Sequence, residues 1–220
     1  CFVDNKETKL ELIKNNVKEN KIIVCGNHIY DEIKKNKIKK NKIRQFLVRK
    51  YNLQNRIIVL AMPHVIEHNL ICPKAYRKKM LQVKDILLKN NNKSILLSVH
   101  PRAQKSDYEF LIDTRTYFLE ESLRNIIVGV DYLVCHWSGV TFWGPLVAKP
   151  TMVLDIFSLP FVGVNYLSKK VMVVKNLADL NKKISYFYNM RGKNVPYKKF
   201  SVTKFKRNLV RLNNGYFSKN

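Results

Sequence analysis

Short runs of apolar residues alternate along the chain with longer stretches in which apolar residues recur every three or four positions. The apolar runs cover residues 21–25, 56–61, 94–99, 132–135, 151–154 and 171–174. Continuous apolar runs of this length are typical of strands that are buried on both faces of a parallel sheet. Because helical stretches separate these runs, the pattern predicts one doubly wound, Rossmann-like α/β sheet.

Three of the intervening stretches place their apolar residues on one face of a helix. These residues are Tyr76, Met80, Val83 and Leu87 in the first stretch, Leu123, Ile126, Ile127 and Val130 in the second, and Leu177, Leu180, Ile184, Phe187 and Tyr188 in the third. Spacing of this kind turns one side of a helix toward the core. We interpret the three stripes as packing surfaces and not as parts of a ligand site.

The sequence predicts one main domain with an extension at each end. We place the α/β domain at residues 21–190, and we expect residues 1–20 to be a polar, mostly helical lead-in from a missing upstream half. Residues 191–220 are predicted to be a basic, helical C-terminal tail. No apolar run approaches the about 18 residues that a membrane-spanning helix needs, so we expect none.

The charge of the chain is strongly positive. It carries 41 Lys and Arg against 16 Asp and Glu, a formal net charge of +25. The densest basic run, KKNKIKKNKIR at residues 34–44, contains isoleucines and no aromatic residue that would stack on a base. We interpret it as a solvated basic surface that attracts anionic lipid, with an anionic small molecule or polymer as the alternative, and we do not expect nucleic acid.

The four cysteines lie far apart and form no CxxC pair. They are Cys1, Cys25, Cys72 and Cys135. This spacing favours reduced thiols in a cytoplasmic protein over disulfides or a zinc site. Two of them, Cys25 and Cys135, end predicted strands, where we expect them to be small core residues.

The segment DYLVCHWSGVTFWGPLVAKP at residues 131–150 carries the clearest candidate chemistry. It reads as a buried strand, a small-residue turn and a short apolar helix. The first turn of a helix offers free N–H groups, and a glycine lets an oxyanion approach the backbone. We therefore expect Ser138, Gly139 and Val140 to bind phosphate, with Ser138 also capping the helix and His136 shaping the loop.

Other predicted strands also end in polar or small residues. Residues 26–27 are Gly26 and Asn27, which suit a tight turn and a helix cap. The sequence HPR at residues 100–102 places His100 and Arg102 around the stiff Pro101, and both side chains can donate hydrogen bonds to phosphate oxygens.

A third histidine, His64, follows the second predicted strand. Its spacing to Glu67 and His68 differs from HExxH, because Val65 stands where that motif has glutamate, so we expect no metal. We interpret His64 as a candidate for phosphate binding or acid–base chemistry. Since the carboxyl ends of parallel strands share one edge of a sheet, His64, His100 and His136 should lie at the same edge.

Taken in order, these loops resemble the C-terminal half of the GT-B superfamily of sugar-nucleotide enzymes. The matching segments are VCGNHIYD at 24–31, the histidine at 64, VHPR at 99–102 and DYLVCHWSGV…AKP at 131–150. UDP-N-acetylglucosamine 2-epimerases and bacterial polysaccharide transferases, including glycerophosphotransferases that use CDP-glycerol, carry similar series. The resemblance implies a GT-B C-terminal domain in which His100, Ser138 and Gly139 hold the phosphates of the nucleotide. It also makes His64 a candidate for contact with the diphosphate or the transferred group.

The resemblance implies a nucleotide-activated sugar or polyol donor as substrate, with no cofactor and no metal. We favour a transferase of bacterial surface polysaccharide with a polysaccharide or lipid-linked acceptor, cytoplasmic and peripheral at the inner face of the membrane. Residues 140–144 contain no acidic residue to bind ribose, and this departs from the epimerases. An epimerase acting on UDP-N-acetylglucosamine and a non-catalytic basic module for nucleic acid or anionic polymer remain as alternatives. No catalytic base is assigned.

Overall fold

The architecture is seen in a computed structural model, which describes residues 2–4, 6–53, 56–63, 70–89, 92–157 and 170–192. Six parallel strands form the main sheet: β3 (Arg56–Ala61), β4 (Lys93–Ser98), β5 (Thr116–Phe118), β6 (Tyr132–Cys135), β7 (Thr151–Leu154) and β8 (Met172–Val174). Their order across the sheet is β5-β4-β3-β6-β7-β8. The direction of winding therefore reverses between β3 and β6. The prediction of a doubly wound, Rossmann-like parallel sheet is confirmed.

Helices cover both faces of this sheet. They are α2 (His28–Lys35), α3 (Lys40–Tyr51), α4 (Pro73–Leu87), α5 (Leu123–Ile126), α6 (Trp143–Leu146) and α7 (Leu177–Asn189). A further helix, α1 (Lys6–Lys14), precedes them in the chain. Short 3₁₀ turns occupy Glu19–Lys21, Asn36–Lys39, Lys105–Leu111, Ile127–Gly129 and Gly139–Phe142. No helix in the described part of the chain is long and apolar enough to cross a membrane.

Alternate residues of each strand divide the core into two clusters. In β3, Ile58 and Leu60 pack with α4 and α7, whereas Ile57 and Val59 pack with α2, α3 and α5. All four side chains have no exposed surface. The inner strands therefore carry long apolar runs, because both faces of the sheet are covered. The three predicted stripes lie in these clusters, as buried residues or packed directly against them.

Two sequence predictions about the strands need correction. The run at residues 21–25 does not join the main sheet: its strand β2 (Ile23–Val24) pairs in parallel with β1 (Phe2–Val3) in a separate two-stranded sheet. The edge strand β5 was not predicted, because it has three residues and only Thr116 is buried. A short edge strand lacks the long apolar run from which the inner strands were recognised.

The structure describes most of residues 1–20 and the first two residues of the segment 191–220. Within residues 1–20, which we expected to be a lead-in, the structure has the helix α1 and the strand β1. The tail predicted for residues 191–220 lies outside the described residues beyond Gly192. Both Cys25 and Cys135 are buried, and burial raises the pKa of the Cys135 thiol to about 12. That cysteine is therefore an unreactive core residue, as predicted.

Candidate functional site

A cleft of about 910 Å³ opens along the carboxyl edge of the sheet. Its walls come from the loops that follow β3, β4, β5, β6 and β7, and it spans the point between β3 and β6 where the strand order reverses. Doubly wound sheets bind ligands at this position, because the loops diverge there and leave a crevice. The cleft is therefore the candidate functional site.

The loop after β6 is held in shape by Thr141. The hydroxyl of Thr141 donates to the His136 carbonyl at 3.2 Å and accepts from the Ser138 N–H at 3.2 Å. Thr141 has no exposed surface. Ser138 occupies the cap position of the 3₁₀ turn Gly139–Phe142 and lines the cleft together with Val140. Sequence reasoning missed the role of Thr141; its signal was a threonine three residues after a capping serine.

The short helix predicted after this loop consists of two parts. Gly139–Phe142 forms a 3₁₀ turn, and α6 adds only four residues before Ala148 takes a left-handed backbone with φ 58°. The loop can therefore offer individual N–H groups to an anion, but not the summed dipole of a long helix. A side chain on Gly139 would meet no atom within 4 Å, so the space above this residue is open.

His136 lies deeper than the loop-shaping role predicted for it. Its side chain is 6% exposed and lines the cleft, and its ring stacks on Phe157 with centroids 5.5 Å apart. Burial lowers the pKa of His136 to about 3, against a hydrogen bond to the Leu154 backbone that raises it. The imidazole is therefore neutral at physiological pH.

The loop after β4 brings His100 to the cleft. His100 and Pro101 both line it, and His100 Nδ1 accepts a hydrogen bond from the Arg102 backbone N–H at 3.2 Å. Arg102 is exposed and is not among the residues that line the cleft.

Gly26 and Asn27, the two residues predicted to shape the first loop, are not among the residues that line the cleft. Gly26 has φ 83°, and the Asn27 side chain accepts from the Ile29 N–H at 3.0 Å, which caps α2. The helix then packs Tyr30 against Phe142, with ring centroids 6.0 Å apart. This loop thus supports the segment behind Ser138 and does not face the cleft.

Acidic residues that the sequence analysis did not single out stand at both ends of the cleft. Glu120 and Glu121 follow β5, and Asp155 follows β7. Lys50 Nζ pairs with Glu120 and Glu121, each at 2.6 Å. Burial raises the pKa of Glu121, but hydrogen bonds from Lys50 and Tyr51 outweigh it and lower the pKa overall. The glutamates were missed because the strand that positions them was missed.

The described residues contain no group of His, Cys, Asp and Glu side chains that could hold a metal ion. His64, Glu67 and His68 lie outside the described residues, within 64–69. Of the residues predicted to bind or shape the site, His100, Pro101, His136, Ser138 and Val140 line the same cleft. His64 retains the role that the sequence suggests, as a prediction.

Comparisons with known proteins agree on the fold. Neither a protein-family model nor a curated protein sequence matches the chain. Among solved structures, the UDP-GlcNAc 2-epimerase of Neisseria meningitidis bound to UDP-GlcNAc matches with a TM-score of 0.63 and 15% identity, over 86% of this chain and 55% of that one. The UDP-GlcNAc 2-epimerase of Methanocaldococcus jannaschii, in complex with UDP-GlcNAc and UDP, matches with 0.60 and 20%, over 91% and 57%.

A wall teichoic acid polymerase gives a similar match. The H444N variant of the wall teichoic acid polymerase TagF matches with a TM-score of 0.56 and 14% identity, over 86% of this chain and 49% of that one. The chain thus spans about half the length of the solved proteins it matches. These proteins share the GT-B architecture, and the chain has the Rossmann-like fold of one half of a GT-B protein.

Proposed function

We propose that this chain is the nucleotide-binding half of a GT-B-type transferase that builds bacterial surface polysaccharide from a nucleotide-activated sugar or polyol phosphate. The observation that carries the proposal is the distribution of polar groups along the cleft. Hydrogen-bond donors for phosphate, the His100 and Ser138 side chains, lie after the inner strands β4 and β6. Carboxylates lie after the outer strands β5 and β7.

This arrangement suits a ligand with its negative charge at the centre and hydroxyl groups at both ends. The cleft follows five neighbouring strands, which at about 4.8 Å apart extend over roughly 19 Å. Phosphate oxygens need donors, whereas the hydroxyls of a ribose or a sugar can donate to carboxylates such as Glu121 and Asp155. A nucleoside diphosphate that carries a transferred group has this order of charges along its length.

The chemistry assigned to these residues is stabilisation of the leaving nucleotide. Negative charge develops on the leaving phosphate as the donor bond breaks, and preorganised donors aimed at that charge lower the barrier. We assign this role to His100, Ser138 and the N–H groups at Gly139 and Val140, with Arg102 and His64 as further candidates. No metal is required for it. The proposed acceptor is a hydroxyl group of a polysaccharide or of a lipid-linked molecule. The base that activates this hydroxyl is not assigned to a residue.

The solved neighbours support nucleotide-sugar binding, since two of them were crystallised with UDP-GlcNAc and another with UDP. They also keep epimerisation of UDP-N-acetylglucosamine as a second candidate. The two reactions differ in one respect that can be measured: an epimerase converts its nucleotide sugar without an acceptor, whereas a transferase needs one. The absence of acidic residues at 140–144 favours the transferase.

The decisive experiment is calorimetric titration of the chain with UDP, CDP, CMP, UDP-N-acetylglucosamine, CDP-glycerol and a short polynucleotide. We expect one nucleotide family to bind, and we expect His100→Ala combined with Ser138→Ala to abolish that binding. The matched control is His28→Ala combined with Ser185→Ala, since both residues are exposed and lie outside the cleft. Binding only to the polynucleotide, with a steep dependence on salt, would overturn the proposal and favour a basic binding module.

The proposal also assigns the protein to the cytoplasmic side of the membrane as a peripheral enzyme. Residues 34–44 run from the end of α2 through the 3₁₀ turn Asn36–Lys39 into the start of α3, and Ile38 within them is 94% exposed among exposed lysines. Lysines attract anionic headgroups, and an exposed isoleucine can enter the headgroup region. A surface of this kind would bring the enzyme to a lipid-linked acceptor.

A further inference from the structure

One nitrogen of the His136 ring is buried and has no hydrogen-bond partner among the described residues. The atom is Nε2, and His136 is the most deeply buried titratable side chain among the described residues that line the cleft. A buried polar atom without a partner destabilises a fold. A ligand that supplies the missing partner would remove this destabilisation.

The hydrogen bonding of the ring determines which partner Nε2 can take. The Leu154 backbone makes a hydrogen bond to the ring that favours the protonated form, so the ring donates to the Leu154 carbonyl. Because Nε2 has no partner among the described residues, we assign the donor as Nδ1. Burial lowers the pKa of His136 to about 3, so the ring carries one proton at neutral pH, and that proton is on Nδ1. Nε2 therefore presents a lone pair and no hydrogen.

A lone pair of this kind selects against phosphate and for a hydroxyl. A phosphate oxygen at neutral pH is an acceptor, and two acceptors placed against each other repel. A hydroxyl group has a hydrogen to donate. The surroundings are also suited to a neutral group, because the ring lies against Phe157 at 5.5 Å and has no cation hydrogen-bonded to Nε2.

We propose that His136 is a specificity-determining residue whose Nε2 accepts a hydrogen bond from a hydroxyl of the nucleotide-activated donor, an inference that rests on the proposed function. The hydroxyl belongs to the ribose or to the transferred group. His136 and His100 then divide the ligand between them: His100 takes phosphate, and His136 takes a hydroxyl. Phe157 also lines the cleft, beside the ring on which it stacks.

The test uses two variants of His136 and four probes. His136→Phe keeps a ring against Phe157 and removes both nitrogens. His136→Asn keeps an N–H near the position of Nδ1 and has no atom at the position of Nε2. Each is titrated calorimetrically with inorganic pyrophosphate, UDP or CDP, 2′-deoxy-UDP or 2′-deoxy-CDP, and UDP-N-acetylglucosamine or CDP-glycerol. The base is the one that the unaltered protein binds, and His100→Ala is titrated in parallel.

We expect both His136 variants to lose about tenfold in affinity for at least one hydroxyl-bearing nucleotide. Their affinity for pyrophosphate should change by less than about twofold, whereas His100→Ala should weaken every probe. An equal loss for the free nucleotide and the full donor assigns the hydroxyl to the ribose, and 2′-deoxy probes that are insensitive to the variants narrow it to the 2′ position. A loss confined to the full donor assigns it to the transferred group.

Two results would overturn the inference while the proposed function stands. One is unaltered binding of every probe by folded His136 variants, which would make the residue structural. The other is an equal loss for pyrophosphate and nucleotides, which would make it a phosphate ligand. Failure of the unaltered protein to bind any nucleotide would overturn both proposals.

Discussion

A single buried imidazole should make the stability of this fold depend on pH. Burial lowers the pKa of His136 to about 3, whereas an unfolded histidine titrates near 6.5. Between these values the unfolded chain binds a proton that the folded chain does not, so the free energy of unfolding falls as pH falls below about 6.5. We expect this residue alone to cost about 2 kcal/mol between pH 7 and pH 5.

Urea unfolding at pH 7 and pH 5 measures this effect. His136→Phe should lose about 2 kcal/mol less than the unaltered protein over that interval, because phenylalanine does not titrate. His28→Phe is the control, since His28 is exposed. If His136→Phe and the unaltered protein show the same pH dependence, His136 is not neutral and buried in solution.

Gly139 offers a test of the open space above the loop. A methyl group there meets no atom within 4 Å, so Gly139→Ala should leave stability unchanged or raise it by about 0.5 kcal/mol. The same methyl occupies the space through which an oxyanion would approach the backbone. Nucleotide affinity should therefore fall while thermal stability does not, as measured by calorimetry and thermal unfolding of one preparation.

The matched control for this substitution is Gly144→Ala. A Cβ at Gly144 would overlap Thr151 Oγ1 and press on Leu133, and both residues belong to the sheet. We expect that variant to lose stability by about 1–3 kcal/mol. Unchanged nucleotide affinity in Gly139→Ala would show that phosphate does not approach this part of the loop.

At the scale of elements, the end of α3 supports the acidic end of the cleft. The Tyr51 hydroxyl donates to Glu121 Oε2 at 2.7 Å and accepts from the Glu120 backbone N–H at 2.9 Å. Tyr51→Phe removes both bonds and should lower the free energy of unfolding by about 1–2 kcal/mol. Tyr186→Phe is the control, because Tyr186 is 68% exposed. Equal unfolding midpoints in urea for the two variants would show that α3 does not hold this loop.

The limits of sequence reasoning also lie at this scale. The strands Arg56–Ala61, Tyr132–Cys135 and Thr151–Leu154 were predicted to the residue, because both faces of each are buried and the apolar run is unbroken. Periodicity does not identify a strand's partner, so β2 was assigned to the wrong sheet. The partly exposed edge strand β5 gave too weak a signal to be recognised.

The same limits apply to the candidate site. His100, His136 and Ser138 could be placed at one edge, because the ends of parallel strands must meet there. The depth of His136 could not be predicted, since it depends on Phe157, which is remote in sequence and stacks on the ring. Glu120 and Glu121 could not be assigned to the cleft because β5, the strand that they follow, was not predicted. The sequence also offered no reason to expect that Arg102 would lie outside the cleft lining while His100 and Pro101 lie within it.

At the scale of the whole molecule, the excess positive charge does not come from the described residues that line the cleft. Among the described residues, the cleft lining contains one lysine, Lys105, against the carboxylates Glu120, Glu121 and Asp155. These residues therefore contribute none of the excess positive charge of +25. Substitutions of surface lysines can therefore weaken the general attraction for anions without changing the residues of the proposed nucleotide site.

The last prediction concerns the basic surface around Ile38. The variant Lys37→Gln, Lys39→Gln, Lys40→Gln removes three exposed charges beside a 94% exposed isoleucine. At about 1 kcal/mol for each lysine near an anionic surface, binding to phosphatidylglycerol vesicles should weaken by about two orders of magnitude or more. Ile38→Ser, made in the otherwise unaltered protein, should weaken vesicle binding if the Ile38 side chain enters the lipid and should leave it unchanged if it does not.

Vesicle sedimentation at low and high salt measures this binding, with phosphatidylcholine vesicles as the uncharged comparison. The matched control is Lys74→Gln, Lys78→Gln, Lys89→Gln, which makes the same charge change at exposed lysines in and just beyond α4. Equal weakening by the two triple variants would mean that the membrane senses only the net charge of the protein. Selective loss in the first, with nucleotide affinity unchanged, would identify residues 34–44 as the membrane-facing surface, because binding would then depend on where the charges lie.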